Sequence, residues 1–161
     1  MDIGGGYGAH LEYILPQFPM VKSIELSSAN VEFLQNRFQR YPEFSAEQVD
    51  FGQDDVDRLA QEQFNAITCL NVLEHIEDDI AALKDMHRIL EQQSGTLCIQ
   101  VPALPWLYGS MDEQAGHYRR YTLSEMKDKL DQAGFEVINA YYFNIFGVLP
   151  WFLSARVFRR P

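Results

Sequence analysis

Cysteine is scarce in this chain. Only Cys69 and Cys98 occur, each inside an apolar run, so two buried thiols in a reducing cytoplasm are expected rather than a disulfide framework or a metal site. Positive charge is also short: 13 Lys and Arg stand against 23 Asp and Glu, a net charge of −10. That balance argues against general nucleic-acid binding, because phosphate contacts need clustered cations. No charged-then-apolar leader precedes Met1, so no secretory signal is read. The apolar stretch at 145–158 is too short to span a bilayer. A strand should lead into the glycines that open the chain, yet only Met1, Asp2 and Ile3 are there to form it. The expectation is a fragment, or a reading frame begun at an internal start.

What is present is one domain's worth of chain, 161 residues with 47% apolar and 22% charged side chains, enough to bury a core. It opens on Asp2-Ile3-Gly4-Gly5-Gly6-Tyr7-Gly8-Ala9, where glycines let a strand turn sharply into a helix and let a ligand lie against bare backbone. Gly4, Gly6 and Ala9 satisfy the dinucleotide fingerprint, which seats a pyrophosphate on a helix N-terminus. Asp2-x-Gly4-x-Gly6-x-Gly8 instead resembles the first motif of class I S-adenosylmethionine-dependent methyltransferases. Asp2 separates the two. A carboxylate about 5 Å from a phosphate costs roughly 3 kcal/mol at an effective dielectric near 20, whereas the methyl donor carries an ammonium and a sulfonium and no phosphate.

Further along, Leu11, Ile14 and Leu15 fall at helical spacing before Pro16 and Pro19, and 21–25 reads as a strand ending at Glu25. Glu25 lies about twenty residues after the first glycine, where a carboxylate accepts from ribose hydroxyls. Ser27 or Ser28 can cap a helix with Val31, Leu34 and Phe38 inward. A third strand is expected over 46–51, ending near Asp50, with Asp50 placed for the adenine amino group and Phe51 beside the ring. Asp54, Asp55 and Asp57 crowd the same region. The run 64–70 suits a central parallel strand covered on both faces. Asp78 and Asp79 open a helix carrying Ile80, Leu83 and Leu90 that stops near Gly95, and 96–102 is the next strand. Alternating strands and helices argue for an α/β architecture.

The series Asp2 to Gly8, Glu25, Leu70-Asn71-Val72-Leu73-Glu74-His75-Ile76 and Leu90 through Val101 resembles class I methyltransferases over essentially the whole chain. The segment Met111 to Tyr121, with Gly116-His117-Tyr118-Arg119-Arg120-Tyr121, further resembles a small-molecule subgroup associated with quinone or cell-surface glycan pathways. The resemblance implies a single domain over 1–161: a Rossmann-like, doubly wound, mostly parallel sheet in three αβα layers, clipped at both ends because no final antiparallel strand is found. It implies S-adenosylmethionine as cofactor and S-adenosylhomocysteine as product. Asp2, Gly4, Gly5 and Gly6 would lie near the methionyl part, Glu25 and Leu26 at the ribose, Asp50 and Phe51 at adenine, and Asn71 and Leu73 along the pocket. Glu74 and His75 invite a catalytic reading. Adjacent residues on a helical turn do not share a face, however, and the resemblance gives this pair the cofactor wall.

After the fifth strand, Pro102, Pro105, Trp106, Leu107, Tyr108 and Gly109 break regular structure where an acceptor should approach, and suit an aromatic lid. His117 is the general-base candidate, since imidazole titrates near neutral pH. Tyr108, Arg119 and Arg120 are candidates to hold the acceptor; the competing account pairs the arginines with Asp112 and Glu113. Thr122 to Glu125 is a capping box for a helix closed by Gly134. A sixth strand is expected over 135–143. The apolar segment 145–160, with Trp151 inside and Arg156, Arg159 and Arg160 at its end, suits a peripheral membrane contact or a homodimer face. Two other readings stay open: an NAD-dependent oxidoreductase, and a non-catalytic cofactor-binding subunit. No metal requirement is indicated.

Overall fold

The computed structural model describes residues 1–51 and 56–157. They fall into two compact units, Met1–Val72 with Arg88–Gln100, and Leu73–His87 with the described part of Val101–Pro161.

The first unit is a sheet of five strands: β1 (Asp2–Ile3), β2 (Val21–Glu25), β3 (Phe44–Gln48), β4 (Ala66–Leu70) and β5 (Thr96–Gln100). Their order is β3-β2-β1-β4-β5 and every pairing is parallel. Parallel neighbours require crossover connections, supplied by α1 (Leu11–Ile14), α2 (Ser28–Arg37), α3 (Val56–Gln61) and α4 (Asp79–Glu91). The result is the α/β architecture that the alternating pattern predicts and the Rossmann-like, doubly wound sheet that the resemblance implies. On one face Leu11, Leu15, Val21, Leu34, Phe38 and Ala46 form a buried cluster that joins α1 and α2 to β2 and β3. Strand order reverses between β1 and β4, the switch point at which ligands bind such sheets, on the carboxyl side of the strands.

β1 is only two residues long, and its place in the middle of the sheet rests on Asp2. Register sets Asp2 opposite Ser23 on β2 and Thr68 on β4, so two hydroxyls stand beside its carboxylate on the same face. Thr68 Oγ1 donates to Oδ1 at 2.6 Å and Ser23 Oγ donates to Oδ2 at 3.0 Å. His10 Nε2 lies 2.7 Å from Oδ1. Asp2 is 1% exposed, and a buried carboxylate needs such partners. Its hydrogen bond to Asp2 raises the His10 pKa above the ordinary value, against the opposing effect of burial. Asp2 therefore underpins the glycine turn with both oxygens committed to protein donors. Strand register, which the residue pattern does not reveal, gives Asp2 these partners.

Three expectations change. The third strand starts at Phe44 rather than Ala46, because Phe44 packs on Phe38 at 5.2 Å between ring centroids and joins the apolar cluster. Cys98 is exposed, since β5 is an edge strand and Thr96 and Cys98 share its open face; only Cys69 is buried. Residues 135–143 form no strand. Their alternation is real, but a strand exists only through a ladder with a neighbour, and among the described residues none pairs with it; Ile138, Tyr141 and Phe143 stand exposed.

The second unit holds α5 (Ser110–Ala115), α6 (Leu123–Gln132) and α7 (Val148–Phe152), with three-residue 3-10 turns at Leu73–His75, Pro105–Leu107 and Ile145–Gly147. Thr122 Oγ1 caps α6 by accepting from Glu125 N–H at 3.1 Å; Met126, Leu130 and Ala133 are buried and Leu123 is half-buried. At the start of α4 the buried Asp79 accepts from Tyr121 Oη and Lys129 Nζ, each at 3.0 Å, and pairs with Arg119 at 2.9 Å. Burial pushes the Asp79 pKa up, yet these hydrogen bonds hold it below the ordinary carboxylate value. Among the described residues no helix is long and apolar enough to cross a membrane.

Two outcomes are expected. Leu34 is fully buried in the cluster, so Leu34→Ala should cost about 2–5 kcal/mol in denaturant unfolding; a loss below about 1 kcal/mol would contradict the packing described. His10 carries a raised folded pKa, so its contribution is fully present below the unfolded value near 6.5 and is lost as pH rises through the folded one. Unfolding of the wild type and His10→Ala should therefore differ most at about pH 5.5 and least at about pH 8.5; a gap that is constant with pH would rule this out.

Candidate functional site

The glycine turn follows β1 directly. Gly4 N–H donates to Ile24 O at 2.9 Å and Gly8 N–H to Gly5 O at 2.8 Å, which ties the turn to β2 and closes it on itself. Gly5 lies against Ser23 and the Asp2 carboxylate. Gly6 is different. Its φ is +56°, a left-handed value that favours glycine, and a Cβ placed on it would meet no protein atom within 4 Å. Bare backbone is thus presented outward at Gly6. Beside it, Glu25 ends β2 at 6% exposure; Gly6 N–H donates to its Oε1 and Asn30 Nδ2 donates to its Oε2 at 3.3 Å. Sequence spacing placed these two residues at one site, and the structure joins them by a hydrogen bond.

Other predicted residues lie at the same ends of the strands. Leu26, next after Glu25, is 67% exposed. Val49 N–H donates to Glu25 O at 2.9 Å, which carries Asp50 and Phe51 just past the end of β3. Asp54 and Asp55 lie outside the described residues, and Asp57 belongs to α3, where it pairs with Arg88 at 2.6 Å. Asn71 follows β4 with φ +57°, a conformation that asparagine tolerates better than most residues. Its backbone N–H donates to Gln100 O at 2.9 Å and its Oδ1 accepts from Gln100 Nε2 at 3.3 Å.

In the second unit the organising residue is Asp112, which sequence reading noticed only as an arginine partner. It is fully buried. Oδ1 faces His117 Nδ1 at 2.9 Å and accepts from Arg120 Nε at 2.8 Å, while Oδ2 accepts from Gly109 N–H at 3.0 Å. His117 Nε2 then points toward Glu74, whose Oε1 is 3.9 Å away, and the His117 and His75 rings meet edge to face at 4.7 Å between centroids. Glu74 and His75 thus converge on His117, against the expectation that neighbours on a turn diverge. The reason is that His117 approaches from the end of α5 and reaches both. Glu74 is 1% exposed and its Oε2 has no hydrogen-bond partner. Burial pushes the Glu74 pKa up, and burial followed by the nearby His117 pushes the His75 pKa down.

The acceptor candidates each have partners within the protein. Arg120 is 8% exposed; beyond Asp112 it donates to Ala103 O at 3.0 Å and stacks on Trp151 at 4.6 Å. Arg119 pairs with Asp79 and donates to the carbonyls of Ile76 and Glu77, not with Glu113. Tyr108 Oη donates to His117 O at 2.8 Å and so steadies the imidazole-bearing backbone. Leu73, on a 3-10 turn, is fully buried. Of the expected lid, Trp106 is exposed and Leu107 buried. In the apolar C-terminal segment Ile145, Phe146 and Leu149 are exposed, while the side chains of Arg156, Arg159 and Arg160 lie outside the described residues.

The fold is shared with solved structures of low sequence identity. The CMeT domain of the citrinin polyketide synthase aligns with a TM-score of 0.73 and 19% identity, over 89% of this chain and 41% of that one. The trans-methyltransferase CalH, solved with S-adenosylhomocysteine, gives 0.64 and 22%, over 83% and 43%. The [4+2]-cyclase SpnF gives 0.65 and 16%, over 95% and 57%. This chain thus spans about half the length of each, and at these identities the likeness is one of fold. No curated protein sequence matches it. A family described as a methyltransferase domain matches residues 1–140, a span that runs from the glycine turn through the His117 cluster and past α6, and the chain belongs to that family.

Proposed function

We propose that this chain binds S-adenosylmethionine at the carboxyl ends of β1, β2, β3 and β4 and serves methyl transfer to a small-molecule acceptor. The observation that carries the reading is the pairing of Gly6 with Glu25: an outward backbone cradle that a Cβ would fill, beside a carboxylate with lone pairs to spare for ribose hydroxyls. When bound, the cofactor supplies an electrophilic methyl group on a positively charged sulfur. Gly4, Gly5 and Gly6 bring backbone to its methionyl part, and Asp2 acts beneath them as the support that fixes the turn. Glu25 and Leu26 take the ribose, Asp50 and Phe51 the adenine, and Asn71 a polar contact at the end of β4.

On the acceptor side His117 is the base. Asp112 holds Nδ1 and leaves Nε2 to take the proton that the acceptor loses. This arrangement also resists reorientation, since Arg120 and Gly109 fix Asp112 in turn. The exposed aromatic side chains of Trp106 and Tyr118 support an apolar or ring-bearing acceptor of quinone type. Exposed Ile145, Phe146 and Leu149 support contact with a lipid surface from which a lipid-linked acceptor would come. A single domain over 1–161 is part of the same proposal.

Calorimetry tests it. The wild type should bind S-adenosylhomocysteine, and Glu25→Ala and Gly6→Ala should each weaken that binding about tenfold or more. Binding of NADH with no response to S-adenosylhomocysteine would instead favour the oxidoreductase, which the Gly4, Gly6, Ala9 spacing keeps as the second reading. Binding without turnover across phenolic, quinol and sugar acceptors would favour a non-catalytic subunit.

A further inference from the structure

We propose that Glu74, His75 and His117 bind a divalent transition-metal ion of the zinc class. One carboxylate oxygen and two imidazole nitrogens from these residues lie within 4.8 Å of one another, and two histidines with one glutamate form a donor set used by catalytic zinc sites, which keep a fourth position open. Tetrahedral bonds near 2.1 Å set ligand atoms about 3.4 Å apart, so the three side chains draw together modestly on binding.

Three independent features point to a cation here. Glu74 is 1% exposed with Oε2 unpartnered, and its other oxygen is 3.9 Å from His117 Nε2, beyond hydrogen-bond range. A buried carboxylate oxygen without a partner is costly, and a bound ion removes that cost. Second, His117 already has the outer partner that metal-bound histidines carry: Nδ1 is held by Asp112 at 2.9 Å, which is itself fixed by Arg120 and Gly109. That leaves Nε2 as the ligand atom. Third, His75 is exposed at the cluster, which supplies an entry path and a position open to solvent or acceptor.

Metal binding was not expected from sequence spacing, because the ligands come from a 3-10 turn and from the far end of α5. It goes beyond the methyl-transfer reading and does not rest on it. With an ion bound, Nε2 of His117 would be a ligand in place of the base it is in the metal-free protein, and the ion would supply the acidification of an acceptor hydroxyl at the open position.

The test is titration of the full chain, treated with a chelator and dialysed, with Co²⁺ and with Zn²⁺. Expected are the visible absorption of a four- or five-coordinate Co²⁺ centre, one equivalent of Zn²⁺ by calorimetry with micromolar or tighter affinity, and displacement of Co²⁺ by Zn²⁺. His117→Asn, His75→Gln and Glu74→Gln should each weaken binding at least about tenfold, and Asp112→Asn should weaken it through His117 by about 10–100-fold. Circular dichroism and S-adenosylhomocysteine binding report whether each variant is folded, and the wild-type titration decides the matter even where a variant fails to fold. Absence of a Co²⁺ spectrum and of Zn²⁺ binding in folded wild type would overturn the proposal, as would unchanged affinity in the three folded ligand variants. Co²⁺ binding without S-adenosylhomocysteine binding would sink the methyl-transfer reading and leave this one standing.

Discussion

Where the Asp2 carboxylate commits its hydrogen bonds decides the geometry at the ends of the strands. β1 offers few ladder bonds of its own, because it is two residues long. Its fixity comes instead from one buried anion clasped by the flanking strands through Ser23 and Thr68, and from above by His10. Hydrogen bonds to a charged group contribute about 1.5–3 kcal/mol each, and losing one partner would leave the anion undersatisfied in the core. The turn rests on this clasp, and Gly6 and Glu25 owe their positions to the turn.

Much of this architecture is legible in the residues, and the legible parts share a physical cause. β2 is read as a short strand ending in an acid, β4 from an apolar run, α6 from its Thr122 capping box, and Glu25 from its distance to the glycines, all of which are local patterns. Asp2 shows the limit. That it is special is visible from its place before the glycines, but its neighbours across the sheet are set by register, which no local pattern reveals. The same holds for 135–143, whose alternation is that of a strand although strand formation depends on a partner. Phe44 was passed over because its value to the third strand lies in contact with Phe38 on another element.

The second unit repeats the lesson with polar groups. His117 was singled out for its intrinsic chemistry and Arg119 and Arg120 for their charge, yet Asp112 gives the segment its order. One carboxylate receives an imidazole, a guanidinium and a backbone amide. Arg120 is thereby drawn into the interior, with Trp151 against its face. A clue was present in the sequence: an acid shortly before a histidine and an arginine, with a glycine between them to end the helix. Glu74 had no such clue, since its burial and its unpaired oxygen are properties of packing.

The two thiols differ in a way that follows from strand position. Cys69 belongs to β4 inside the sheet and is buried, whereas Cys98 sits on the open face of the edge strand β5. A bulky maleimide would therefore attach to one sulfur and leave the other alone as long as the protein stays folded, and a fluorophore placed there would report on the rim of the sheet without touching the glycine turn. Reaction of the second sulfur would then serve as a clock for opening of the interior.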